Sequence, residues 1–459
     1  MGAAVPSTDL LAVGRDALAQ GAGLPGDLEV FVQESETTSI KVYQGEVESL
    51  VSGRPKGLGA RYVHGGRMGY AYTGDFSPAG LEHVVAMAAA NTEAADPDPA
   101  VGLPRGGSGT RYPDVPGLWR PGLLSTPMEA KIALAVAAER VALASPRIET
   151  VEESSYVDSA GRTAVLSTRG VEAYGEQTFC YVYTSAHARD GDDVQTGLGF
   201  STGREPMELD AEEAGREAAR KAEALLGARP CPTGLYTVVL DREVAAALVG
   251  VVVHALSADA VQRGRSLFAG RLGEQVAAPG FNLVDDGLHP DGMATSPFDD
   301  EGVPRGATVL IGSGTLQAFL HDTYTAAREG GAARSTGNAE RGSYRGSPGV
   351  SPSNLVVEAG EGSLEELLAR VGSGLYVVGI TGLHSGANPV SGELSVGAQG
   401  HLIEGGALAA PVREITIATD MLSLLRNLSD RGGDARWIPF SGSVQTPSLA
   451  VTGVTVAGA

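Results

Sequence analysis

Cysteine is almost missing from this 459-residue chain, which carries only Cys180 and Cys231. Two cysteines make neither a disulfide framework nor a cysteine metal cluster, and both sit beside strand-like sequence, so reduced packing residues are expected. Aromatic residues are few, at 5%. Long apolar runs are missing too; no stretch approaches the roughly 20 residues that span a bilayer. The opening MGAAVPSTDLL lacks the basic and apolar regions of a signal peptide, and Pro6 occupies the position where a myristoylation motif needs Ser or Thr. Lysine is scarce, and no basic run interrupts a formal charge of -21. A surface that binds nucleic acid by neutralising phosphates is thereby excluded. The expectation is a soluble, cytoplasmic protein with neither nucleic acid nor membrane as a direct partner.

What the chain does have is length, glycine and alternation. Its 459 residues exceed one ordinary core, and 64 glycines with few aromatics suggest an α+β chain with many tight turns. A helix is expected over Ser7–Gly21, capped by Thr8 or Asp9, and another over Pro78–Ala90. Hairpins are expected around Gln44-Gly45-Glu46 and Gly65-Gly66, where alternating strands flank turn residues. Residues 91–123 read as a long surface connection. Thr126, Pro127 and Glu129 read as the N-cap, first position and capping-box acid of a helix. Three strands follow, with Asp158–Gly161 as the turn between the first two. A charged helix covers Asp210–Leu226. Gly227–Pro232 then breaks the chain, giving two expected domains, 1–229 and 230–459, each of antiparallel or mixed sheet with packed helices. The second half is expected to include a helix from Leu316.

One stretch organises that second half. Strand Leu235–Leu240 runs into Asp241, a good N-cap, and an apolar helix follows through Val244, Leu248, Val252 and Leu256. His254 stands alone in this aliphatic run, with Asp259, Arg263 and Ser266 just beyond. Other candidates are weaker. Gly382-Leu383-His384-Ser385-Gly386 misplaces its serine by one position for a nucleophile elbow. Asp299-Asp300-Glu301 could bind a cation but reads as a solvated turn. The polar loop Ser335-Thr336-Gly337-Asn338 offers donors suited to gripping a peptide backbone.

Several motifs of the second half occur together and in order: Arg263-Gly264-x-Ser266, Pro297-Phe298-Asp299-x-Glu301-Gly302, Ser335–Asn338, Asn354, Gly374–Val377, Gly392–Ser395, Leu402–Gly406 and Trp437–Ser443. With Gln44-Gly45-Glu46 and Gly59-Ala60-Arg61 in the first half, the chain closely resembles the TldD/TldE (PmbA) family over nearly its whole length. An older label for that family is modulator of DNA gyrase. The resemblance implies a split pair of subunits. TldD-type members are zinc metallopeptidases with an H-E-x-x-x-H helix motif and a C-terminal cysteine ligand. TldE or PmbA lacks these groups and closes a proteolytic chamber as the heterodimeric partner, with unfolded peptides as substrates.

Registered on Arg263-Gly264-x-Ser266, the metallopeptidase motif falls at Val249–His254. Val249 replaces the first histidine, Gly250 the glutamate, and only His254 remains; Trp437–Ser443 has no cysteine. A catalytic zinc needs about three protein ligands and a carboxylate to take the proton of its water. One imidazole supplies neither. Residues five apart also lie about 140° apart around a helix. The expectation is therefore a TldE/PmbA-type subunit with no metal of its own, zinc residing in a TldD-type partner. A buried, hydrogen-bonded His254 is expected at the chamber wall or subunit interface. Candidate chamber or groove residues are His254, Asp259, Arg263, Ser266, Ser335, Thr336 and Asn338. Two alternatives stay open: a homodimeric peptide-binding or regulatory protein, and an autonomous hydrolase rebuilt from His254, Asp259 and Ser385.

Overall fold

The structure is a computed structural model that describes residues 8–107 and 109–459. Residues 1–7 lie outside the described residues, and the expected helix start at Ser7 falls among them. The first helix, Leu10–Gln20, takes Asp9 as its N-cap, whose carboxylate accepts from the Ala12 amide at 3.0 Å.

The first half builds one antiparallel seven-stranded sheet from residues 27–203. Its order is Arg67–Thr73, Lys56–His64, Asp27–Tyr43, Ile148–Ser167, Glu172–Asp190 and Asp193–Gly203. Glu46–Gly53 pairs with the far half of Asp27–Tyr43, after Lys56–His64 has paired with the near half. The expected turn at Gln44-Gly45 is present, with both residues at positive φ. Their amides donate to the buried Glu139 carboxylate at 2.7 and 2.6 Å. Helices Leu10–Gln20 and Pro78–Asn91 cover one end of the sheet, burying Leu81, Val84 and Val85 against Leu28, Val30 and Val32. Helices Met128–Leu143 and Ala211–Ala224 cover the other end.

Three local expectations need correction. Asp158–Gly161 is not a turn: Ile148–Ser167 runs straight through it, paired on both sides. Asp158 is buried there because Lys131 Nζ reaches it at 2.5 Å and the Tyr156 hydroxyl donates to it at 2.8 Å. Thr126 does not cap Met128–Leu143, which starts after Pro127 without a side-chain cap; the Thr126 hydroxyl instead donates to the Gly122 carbonyl at 2.7 Å. No helix begins at Leu316, which ends a two-residue strand; the helix there is Thr323–Glu329, nucleated by an Asp322–Thr325 capping box.

The second half contains two six-stranded mixed sheets. One runs Ala407–Asp420, Glu393–Glu404, Gly374–Thr381, Gly234–Leu240, Leu449–Ala457 and Leu428–Arg431. The other runs Thr315–Leu316, Ala307–Gly312, Leu283–Asp286, Asn354–Val357, Ser443–Thr446 and Arg436–Ile438. The Arg242–Ala255 helix shares a single apolar core with both. Val244, Leu248, Val249, Val252 and Val253 pack with Val238 and Leu240 of the first sheet and with Leu283, Leu355 and Val444 of the second. That double contact explains a valine run with apolar residues on most sides. Among the described residues, no helix is long and apolar enough to cross a membrane.

A cleft between the sheet and the second half

Alternation along the seven-stranded sheet puts every second residue on one face. Phe31, Gln33 and Ser35, then Ser159, Gly161 and Thr163, then Gly175, Gln177 and Phe179 form a continuous patch on three adjacent strands. This patch is the floor of a cleft of about 760 Å³. The opposite wall comes from the second half: His254, residues 293–298, Asp300, Arg305, Glu340, Arg341, residues 351–353, Leu355, Pro439 and residues 441–443.

The wall is held by buried side chains. Asn354 accepts from the Ala294 amide at 2.9 Å and donates to the Asp286 carbonyl at 2.8 Å. The Ser443 hydroxyl donates to Asn354 Oδ1 at 2.6 Å and accepts from the Met293 amide at 3.0 Å. Asp285 accepts from the Ser353 amide at 2.6 Å and from Asn338 Nδ2 at 2.7 Å. Burial pushes the Asp285 carboxyl up, and these donors oppose it.

The two halves are tied by charge. Arg61, on the sheet, meets Glu29 at 2.6 Å and Glu301, from the second half, at 2.8 Å; Arg341 also pairs with Glu29. Burial alone would raise the Glu29 carboxyl, but Arg61 and Arg341 outweigh it and hold it low. Burial likewise opposes the Arg61 charge, and Glu29 and Glu301 more than restore it. The acidic run 299–301 is thus not the solvated turn expected. Asp299 and Glu301 are both buried. Asp299 accepts from the Val303 and Ala339 amides at 2.9 and 3.1 Å. Burial, then the charge of Glu301, pushes Asp299 up to about 8. Burial raises Asp300 to about 6, opposed by the Arg341 amide.

Of the seven candidate residues, His254 lines this cleft and the other six do not. It is exposed rather than buried, a correction with a simple cause: it ends the helix on the side that faces the sheet across the gap. Asp259 and Arg263 pair with each other at 2.8 Å on the surface. Ser266 is buried, its hydroxyl donating to the Ala255 carbonyl and accepting from the Phe268 amide at 3.0 Å. Ser335 and Thr336 both donate to the His321 carbonyl, at 3.3 and 3.1 Å, and Asn338 is buried against Asp285 and the Ser351 carbonyl. These four hydroxyl and amide groups hold their own segments together instead of facing the cleft. Ser385 is exposed, its hydroxyl donating to the Gly382 carbonyl at 3.2 Å.

The donor set around His254 does not fit a zinc ion. Val249 is buried in the core, and a Cβ built on Gly250 would lie 3.6 Å from the Ser441 carbonyl oxygen. The C-terminal segment therefore does approach the helix at the register expected, but it brings hydroxyls. Among the described residues, no group of three or more His, Cys, Asp or Glu side chains is placed to hold a metal ion. Residues missed by sequence reasoning are Arg305 and Arg341, and the roles of Asn354 and Ser443. Both of the latter stood within family motifs, so position was legible and role was not.

Comparison with known proteins agrees across the chain. Residues 28–92, 121–226 and 233–458 match the models of domain 1, the central domain and the C-terminal domain of the PmbA/TldA metallopeptidases. A metalloprotease of Methanothermobacter thermautotrophicus is 30% identical over 88% of this chain and 87% of its own. Metalloprotease PmbA of Escherichia coli is 30% identical over 95% of this chain and 94% of its own. A Thermotoga maritima structure, described as a candidate modulator of a DNA gyrase, superimposes with a TM-score of 0.89 at 27% identity, covering 97% and 99% of the two chains. TldE of Thermococcus kodakarensis shares the fold at a TM-score of 0.88 and 24% identity, covering 97% and 99%. The chain belongs to the TldD/TldE (PmbA) family of metallopeptidases.

Proposed function

We propose that this chain is a TldE/PmbA-type subunit, catalytically silent, which pairs in the cytoplasm with a TldD-type zinc metallopeptidase and holds unfolded peptide in the shared chamber. The observation that carries this reading is the helix face at the cleft. His254 stands there with Val249 and Gly250 in place of the other two groups, and Ser441 meets the helix where a thiolate would be needed. A lone imidazole neither fixes zinc nor supplies the carboxylate that hydrolysis requires. The cleft itself supports the peptide-holding part, because a sheet face beside an organised wall suits an extended chain.

The autonomous hydrolase has less support, since Asp259 is paired with Arg263 and neither it nor Ser385 lines the cleft with His254. The test is a partner-free preparation assayed for bound zinc by mass spectrometry and for cleavage of an unfolded protein. Neither stoichiometric zinc nor turnover is expected, and co-expression with a TldD-type chain should yield a complex that cleaves. Zinc-dependent turnover by this chain alone overturns the proposal. Failure to pair, with peptide binding retained, favours the homodimeric binding protein.

A further inference from the structure

Two arginines line the cleft, Arg305 and Arg341. Arg341 is spent on Glu29. Arg305 is different, because no carboxylate lies within 4.0 Å of its guanidinium among the described residues. In a chain with a formal charge of -21, a cleft arginine without an acidic partner is unusual. The Arg305 charge acts at longer range on Asp285, Asp299 and Asp300, whose carboxyls are hydrogen-bonded elsewhere: Asp285 to Asn338 and Ser353, Asp299 and Asp300 to backbone amides.

The side chain is also held in place. Arg305 Nη1 donates to the Ala294 carbonyl at 2.8 Å, and the Arg305 amide donates to the Pro297 carbonyl at 3.2 Å. Its stem passes Gly287 and Gly337, where an added Cβ would approach the Arg305 side chain to 2.8 and 3.3 Å. Nε is buried without a partner, and among the described residues Nη2 makes no hydrogen bond to protein. The guanidinium is thus fixed by one nitrogen and leaves an unused donor beside the cleft. The hydroxyls of Ser296, Ser351 and Ser441 share the same lining. A guanidinium so presented, with hydroxyls around it and no carboxylate within 4.0 Å among the described residues, matches a carboxylate ligand; Glu176, Asp300 and Glu340 also line the cleft.

We infer that Arg305 is a binding residue for a carboxylate of the peptide held in the cleft, either the C-terminal α-carboxylate or an Asp or Glu side chain. This rests on the peptide-holding reading above and assigns it a chemistry. The full chain would be titrated against a fluorescein-labelled unstructured peptide of about 15 residues, in four forms: free or amidated C-terminus, each with Glu or Gln inside. Anisotropy should show weakening by about ten- to a hundredfold when the relevant carboxylate is removed. The C-terminal and internal arms identify its source. R305M should bind all four forms alike, and R305K should recover part of the discrimination. The fold of both variants is checked by circular dichroism and melting.

If wild-type protein binds all four peptides equally, or R305M keeps the discrimination, Arg305 has no such role although the peptide-holding reading stands. If wild-type protein binds none of them, the peptide-holding reading itself fails, and the assignment falls with it. Should R305M not fold, R305K against the same four peptides decides: unchanged preference overturns the assignment.

Discussion

Arg61 Nη2 lies 2.8 Å from Glu301 Oε1, an ion pair buried between the sheet of the first half and the cleft wall of the second. Buried pairs rarely add net stability over apolar packing, but removing one partner strands the other charge. R61M leaves Glu301 without its cation and Glu29 with Arg341 alone. It should cost about 3–5 kcal/mol in urea unfolding. E301Q should cost less, since a Gln oxygen can still accept from the Thr323 amide, which reaches Glu301 at 2.9 Å. Equal stability of R61M and the wild type would show that the pair is solvated in solution.

Asp299 and Asp300 set the pH dependence of stability. Both carboxyls are raised in the folded chain, to about 8 and about 6, so the native state keeps protons that the unfolded chain releases near the ordinary carboxylate range. Their contribution is complete below that range and is lost as pH rises through the folded values. Glu29 works in the opposite sense: its stabilisation is present above its unfolded value and is lost as pH falls through its lowered one. The melting temperature should therefore fall between about pH 5 and 8.5, and D299N should flatten that slope. At low pH D299N should melt lower, because an amide nitrogen in the place of Oδ2 cannot accept from the Ala339 amide, and that deficit should shrink as pH rises toward 8. Parallel slopes for the two proteins would remove Asp299 as the source.

Asn354 joins the Ala294 amide, the Asp286 carbonyl, Thr295 and Ser443. N354A leaves several buried groups unsatisfied, each worth about 1–3 kcal/mol. Beyond the lower melting point, hydrogen exchange should quicken over residues 292–296, the segment these bonds hold against the cleft. Exchange that rises uniformly over the chain would instead mean only general destabilisation.

Gly250 offers a contrasting result. An added methyl would meet the Ser441 carbonyl oxygen at 3.6 Å, an ordinary contact. Within a helix, Gly to Ala gains about 0.5–1 kcal/mol. G250A should melt higher than the wild type, and a lower melting point would show that the helix and Ser441 approach more closely than this.

Local pattern carried much of the fold. Gln44-Gly45 announced its hairpin, Asp241 its helix, and alternation most strands. What failed was satisfied at long range. Asp158 looked like a turn residue because nothing nearby revealed Lys131 on a distant helix. Asp299–Glu301 looked solvated because Arg61 stands in the other half of the chain. The same reason applies to the site. The valine run and lone histidine marked the helix that matters, yet the floor opposite His254 belongs to strands of the first half. Period two shows that Gln33, Gly161 and Gln177 each face one side, but not that the three adjoin. Arg305 carried no motif at all; its interest arises from a guanidinium that, among the described residues, forms no ion pair within 4.0 Å.

The Leu449–Ala457 strand, lying between Gly234–Leu240 and Leu428–Arg431, has a consequence for biosynthesis. Gly234–Leu240, one of the strands it pairs with, is made more than two hundred residues earlier, so the first sheet of the second half cannot close until Leu449–Ala457 has been synthesised. The seven-stranded sheet meets no such delay, since all its strands are complete by Gly203. The cleft is therefore built floor first. Its wall, and His254 with it, reaches its final position only after Leu449–Ala457 docks.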